Sequence, residues 1–218
     1  MSERILYTYF RSTAAYRVRI ALNLKQLDYT PHFVHLVKGG GEQHSNNYRA
    51  INPQGLVPTL IDDATTVTES LAIVEYLEES HPTIPLLPEP TAWRAQARSL
   101  AQQICCNIHP LNNLRVLNYL RTEMKQDEAS RQHWYQHWMS EGLVAIEQQL
   151  THAGEHQSLC CVGNTPTIAD LCLIPQLYNA RRFSCDIHNY PTLLKIEAHC
   201  MTLTAFQQAS PAQQPDHE

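Results

Sequence analysis

The sequence predicts an α/β domain followed by an all-helical domain. Residues 1–81 alternate short strand-like runs with helix-like stretches. Residues 82–92 lie in a proline cluster, Pro82, Pro85, Pro88 and Pro90, which reads as a semi-rigid linker. From residue 93 to 218 the pattern turns helical.

The elements follow in order. Ile5 to Phe10 reads as a strand that runs into a helix with Val18, Ala21 and Leu22 on one face. A second strand is expected around His32 to Leu36. Asn52-Pro53-Gln54-Gly55 is a turn signal ahead of Leu56-Val57-Pro58-Thr59-Leu60-Ile61, an apolar strand with a proline at its start. Thr65 to Thr68 pairs with it through Asp62-Asp63-Ala64, and Ile73, Val74 and Leu77 mark a helix after Glu69-Ser70. Beyond the linker, one long helical segment is expected from Thr91 to Glu123, interrupted near Pro110. Another carries Trp134, Trp138, Leu143, Ile146 and Leu150. A third starts at Thr167-Ile168-Ala169-Asp170, a capping box with Asp in the fourth place, and a fourth at Pro191. The polar tail from Pro211 to Glu218 is expected to fray.

Bulk properties narrow the function. A net charge of −5 argues against a nucleic-acid partner. No apolar run reaches the length of a membrane helix. Met1-Ser2-Glu3-Arg4 lacks the opening of a secretory signal, so the expected location is cytoplasmic. The seven cysteines show neither Cys-x-x-Cys nor zinc-type spacing, which predicts reduced, mostly buried thiols and no metal site. Gly39-Gly40-Gly41 lacks the Lys-Ser/Thr ending of a phosphate loop.

Candidate chemistry sits at the helix starts. Ser12 and Thr13 fall where a strand turns into a helix, among unpaired N–H groups and the positive end of the dipole. Ser12 there serves as a plain cap or as a donor to an anion such as a thiolate. Val57-Pro58 admits a cis peptide, which would expose the Val57 backbone to a peptide-like ligand; the commoner trans form on an edge strand is the alternative. Glu69 and Ser70 suit an α-amino acid head, or simply cap a helix. His109, Asn112, Asn113 and Arg115 surround Pro110, where they either bind a ligand or satisfy freed backbone groups. Arg181 and Arg182 close a helix, a favourable place for cations in any protein.

Taken together, Arg11 to Leu22, Asn52 to Leu60, Glu69 to Leu77, Thr167 to Gln176 and Ala180-Arg181-Arg182-Phe183 resemble the zeta class of glutathione transferases over nearly the whole chain. The resemblance implies a thioredoxin-like domain with a mixed four-stranded sheet, a C-terminal helical bundle, glutathione as cofactor and a homodimer. It implies glutathione-dependent isomerisation of maleylacetoacetate to fumarylacetoacetate, with the shorter maleylpyruvate as the alternative substrate. A non-catalytic, transferase-like interaction protein is the reading outside enzymes, and it predicts loss of the glutathione-binding residues.

By the same resemblance Ser12 is catalytic. Ser12, Thr13, Ala14, Ala15, Tyr16, Arg17, Gln43, Val57, Glu69, Ser70, His109, Asn113, Leu114 and Arg115 approach glutathione. Arg11, Arg115 and Arg182 are expected to hold the two carboxylates of a keto-acid substrate, since guanidinium binds carboxylate in bidentate fashion. Arg181 is a weaker candidate, and Arg17 and Arg19 also suit structural or interface contacts. The implied cleft draws on both domains. Two departures stand out. The usual Ser-Ser-Cys reads Ser12-Thr13-Ala14 here, which removes any role for a protein thiol at that place but leaves the sulfur that glutathione brings. His109 and Arg115 stand where some zeta members are uncharged; the maleylpyruvate isomerase pattern looks similar to this chain at those two places.

Overall fold

The computed structural model describes residues 3–152 and 157–218. Strand β1 (Arg4–Thr8) pairs in parallel with β2 (Thr30–Phe33) and antiparallel with β3 (Thr59–Asp62). Strand β4 (Thr65–Thr68) completes a four-stranded mixed sheet in the order β2-β1-β3-β4. Its register sets Leu6 opposite Leu60, both fully buried, and Leu60 opposite Val67. Asp63 makes the tight β3–β4 turn at a φ of 50°, a left-handed conformation that Asp tolerates. A buried ion pair of 3.1 Å, Arg4 to Asp62, ties β1 to β3.

Helix α1 (Thr13–Leu24) packs on α3 (Ser70–Ser80). Leu6, Ile20, Leu22, Leu60, Ile73 and Leu77 form its fully buried core, each contributing about 1.5–3 kcal/mol by burial. The short α2 (Asn46–Ile51) follows a tight turn at Glu42–His44. Gly55, at a φ of +63°, lets the chain pass the Gln43 carbonyl, which a Cβ would meet at 2.9 Å.

The chain forms two units, Met1–Leu86 with Met201–Glu218, and Leu87–Cys200. Two expectations change here. The linker expected at 82–92 belongs to the first unit as far as Leu86. Lys25 Nζ donates to the carbonyls of His81 and Ile84, and Glu78 accepts from the Leu86 N–H, so lost chain freedom is offset by buried polar bonds. The end of the chain, assigned to the helical domain and expected to fray, instead joins the first unit. Helix α9 (Thr204–Ala209) packs on α1, and Asp216 accepts from the Phe10 N–H at 2.9 Å.

Strand limits shift too. β1 ends at Thr8, not Phe10, because Tyr9 and Phe10 leave the sheet to pack with Val34, Tyr48 and Val57. β2 begins at Thr30 and ends at Phe33, short of Leu36; it is an exposed edge strand that tolerates Pro31.

In the second unit, α7 (Ile168–Arg182) is buried along most of its length, as its nearly continuous apolar sequence requires. Helix α4 (Thr91–Gln102) packs on it. The single helix expected over 91–123 is broken earlier than Pro110. A π-helical turn spans Gln103–Ile108, the His109 N–H reaches back to the Ile104 carbonyl, and α5 (Leu114–Thr122) restarts after the Pro110 turn. Helices α6 (Glu128–Thr151) and α8 (Pro191–Cys200) stand where Trp134 to Leu150 and Pro191 predicted them. Among the described residues no helix is long and apolar enough to cross a membrane.

Candidate functional site

Ser12 is the N-cap of α1, and its Oγ accepts from the Ala15 N–H at 3.2 Å. A hydroxyl that accepts still holds one proton to donate, so capping and anion binding coexist on this side chain. Thr13, Ala15, Tyr16 and Arg17 are buried in α1, and Ala14 is half-buried. The Tyr16 hydroxyl donates to the Phe206 carbonyl at 3.4 Å.

Arg17 and Ser70 meet beneath the head of α3. Arg17 is 2% exposed; its Nη1 donates to Ser70 Oγ at 3.2 Å, while Nε and Nη2 are buried without a partner. Such orphaned cationic donors are costly unless a group outside the protein completes them. Glu69 precedes Ser70 with a φ of 67°, its side chain exposed and making no cap, so the first N–H groups of α3 receive no side-chain acceptor. Val57 precedes a cis Pro58, and its backbone makes no hydrogen bond among the described residues. Gln43 is buried beside Gly55, with Oε1 lacking a partner.

Arg11 rests on Tyr9. Nε and Nη2 donate to the Tyr9 hydroxyl at 3.1 and 2.7 Å, and the guanidinium lies 4.9 Å from the centre of the Phe10 ring. Sequence reasoning missed Tyr9, because a strand-end aromatic carries no local signal beyond packing. Arg19 is fully buried and structural: it donates to Thr8 Oγ1 and to the carbonyls of Tyr9, Phe10 and Ala209.

In the second unit, Asn113 caps α5, its Oδ1 accepting from the Arg115 N–H at 3.1 Å, while Leu114 and the Arg115 side chain are exposed. His109 sits where the π-helical turn ends. Arg182 lies over the Phe183 ring, 4.8 Å from its centre, at a cavity of about 210 Å³ that Leu117, Arg131 and Tyr135 also line. Arg181 points elsewhere and pairs with Glu197.

Cys160, Asp170 and Cys200 bring three ligand atoms within 4.8 Å of one another. This cluster belongs to the capping box of α7. Asp170 accepts from the N–H groups of Thr167 and Cys161, each at 2.8 Å. Burial holds the Asp170 carboxyl above its usual range, partly offset by those donors, and a hydrogen bond with Cys160 together with burial pushes the Cys200 thiol up. Protonated thiols are poor metal ligands.

Residues 6–89 match the family model for the glutathione S-transferase N-terminal domain. A probable maleylacetoacetate isomerase of Vibrio cholerae is 48% identical over 217 residues, covering 99% of both chains. A holo structure of maleylpyruvate isomerase, described as a bacterial glutathione transferase of the zeta class, is 42% identical with a TM-score of 0.94, covering 98% of this chain and 100% of that one. This chain belongs to the zeta-class glutathione transferases. A further relative, the maleylacetoacetate isomerase of Methylobacterium extorquens, was solved with malonate and glutathione bound; it is 38% identical with a TM-score of 0.92, covering 98% of this chain and 99% of that one.

The first unit of this glutathione transferase has the complement of a tripeptide thiol. Glutathione carries an α-carboxylate, which the Ser70 hydroxyl, the uncapped start of α3 and the orphaned donors of Arg17 suit. It has a peptide backbone that the unpaired Val57 main chain suits, and a sulfur that a donor at the head of α1 suits.

Proposed function

We propose that this chain is a glutathione-dependent cis–trans isomerase acting on maleylacetoacetate, a doubly charged keto acid, to give fumarylacetoacetate. The observation that carries the reading is Ser12, whose hydroxyl caps α1 and keeps a proton to donate, in a unit whose Arg17–Ser70 pair is built for an anion. When bound, glutathione supplies a thiolate that adds to the double bond next to the ketone and leaves again after rotation.

The protein's own residues do the rest. Ser12 and the N-terminus of α1 favour the ionised sulfur. Lowering a thiol pKa by two units takes about 2.7 kcal/mol. A charge-assisted hydrogen bond of roughly 1.5–3 kcal/mol supplies much of that. Ser70, Arg17, Val57, Gln43 and Glu69 hold the tripeptide, and Thr13, Ala14, Ala15 and Tyr16 border it. His109, Asn113, Leu114 and Arg115 extend the glutathione contacts from the second unit. Arg11, Arg115 and Arg182 neutralise the substrate carboxylates. Arg11 is held by Tyr9 in one orientation, which lowers the entropy cost of bidentate binding. We assign most of the glutathione contacts to residues 1–86 with 201–218 and the other substrate contacts besides Arg11 to residues 87–200, and read the protein as a cytoplasmic homodimer. Cysteines that form no disulfide among the described residues and the family's typical assembly support that reading.

Maleylpyruvate is the second reading. It is favoured by the TM-score of 0.94 to a maleylpyruvate isomerase and by His109 with Arg115. Offering both maleyl compounds with and without glutathione tests both. Turnover of either only with glutathione supports the isomerase, and the larger kcat/KM names the substrate. Absence of turnover on both, with glutathione bound, would leave a binding protein.

A further inference from the structure

We propose that Asp216 and Glu218, near the end of the chain, are positioning residues for Ser12 and Arg11, an inference that rests on the roles given to those two residues above. The turn from β1 into α1 has little backbone bonding of its own. The Ser12 N–H reaches the Tyr9 carbonyl at 3.0 Å, but the Phe10 N–H has no backbone acceptor. Asp216 Oδ2 takes it at 2.9 Å, from 206 residues away in sequence. The two carbonyls of the same turn, Tyr9 and Phe10, are held by Arg19, whose Nε also fixes Ala209 at the end of α9. The turn is therefore clamped between α1 and the chain end, and a carboxylate bound to an N–H makes the stronger, charge-assisted kind of hydrogen bond.

The last residues also support Arg11. Glu218 pairs with Lys38 and faces His35 Nε2 at 3.4 Å. The His35 ring stands edge-on to Tyr9, 4.8 Å between centres, and Tyr9 carries both donors of Arg11. His217 packs edge-on against Phe10, 5.3 Å between centres. Asp216 thus reaches the Ser12 turn directly, and Glu218 reaches Arg11 through His35 and Tyr9. Neither touches a reacting atom. Asp216 Oδ1 is buried without a partner, a cost in stability consistent with a side chain kept for geometry.

The test uses the full chain with Asp216→Ala, Asp216→Asn and Glu218→Gln. Hydrogen exchange without ligand is read over residues 10–16. Asp216→Ala is expected to speed it about tenfold, and Asp216→Asn, which retains an acceptor, to restore it. The ultraviolet thiolate band of bound glutathione at one fixed pH should fall in Asp216→Ala and recover in Asp216→Asn. Glu218→Gln should keep that band and the KM for glutathione, while raising the KM for the maleyl substrate several-fold. Wild-type exchange over residues 10–16 in Asp216→Ala, or faster exchange spread evenly over both units, overturns the role of Asp216. Unchanged substrate KM in Glu218→Gln overturns the role of Glu218. A wild-type protein without a thiolate band would sink the isomerase reading instead, and the exchange arm would still decide whether Asp216 holds the turn.

Discussion

Arg17 donates to Ser70 Oγ at 3.2 Å while two of its nitrogens stay buried without partners. The pair joins α1 to α3, and its unmet donors support the carboxylate-binding role proposed for it. Arg17→Met is expected to leave the melting temperature of the ligand-free protein unchanged or higher, since a buried, half-satisfied cation is replaced by an apolar side chain of similar length. The same variant should lose the thermal shift that saturating glutathione gives the wild type, about 2.7 kcal/mol at a hundred times Kd. Thermal melts with and without glutathione measure both effects.

Ser12→Ala separates cap from donor. Loss of the bond to the Ala15 N–H should cost about 1 kcal/mol of stability, read by denaturant unfolding. Loss of the donor to sulfur should lower kcat about a hundredfold. A variant with the stability loss and full turnover would confine Ser12 to its cap.

The neighbouring arginines of α7 should divide by role. Arg182→Ala is expected to raise the KM for a dianionic substrate more than that for glutathione. Arg181→Ala removes an exposed pair with Glu197, so it should leave both KM values alone and cost at most about 1 kcal/mol. Steady-state kinetics on the two variants side by side provide the check.

The chain end should loosen in acid. The hydrogen bond and charge of Lys38 hold the Glu218 carboxyl below the usual carboxylate range, helped by His35. Glu42 and Tyr9 are the other titratable groups facing Lys38. A depressed carboxyl pKa contributes stability that is present above its unfolded value, about 4.3, and lost as pH falls through the folded value. Hydrogen exchange of residues 214–218 should therefore rise below about pH 4, ahead of global unfolding. Glu218→Gln should abolish that pH dependence.

Much of this protein was legible along the chain. The β3–β4 hairpin, the Thr167–Asp170 capping box and the Pro191 helix start follow from short-range chemistry, and each stands where the residues put it. The strand–turn–helix around Ser12 was equally plain, although its strand ends two residues early. Less legible were features that depend on contacts between distant segments. A helix pattern continuous over residues 91–123 does not reveal a π-helical turn at Gln103–Ile108, because periodicity averages over the break. A polar tail such as Gln213-Gln214-Pro215-Asp216-His217-Glu218 has the composition of a frayed end, and nothing local says that a free N–H at Phe10 awaits it.

The sequence by itself determined the two-part architecture, the hydroxyl at the first helix start and the family. Hydrophobic period, caps and prolines act within a few residues and need no fold to be read. Only the tertiary structure decided that Arg17 lies behind Ser70, that Tyr9 carries Arg11, and that the last residues brace the Ser12 turn. Those relationships are hydrogen bonds and ring contacts between segments far apart in the chain, and burial of the apolar core is what brings their partners within reach.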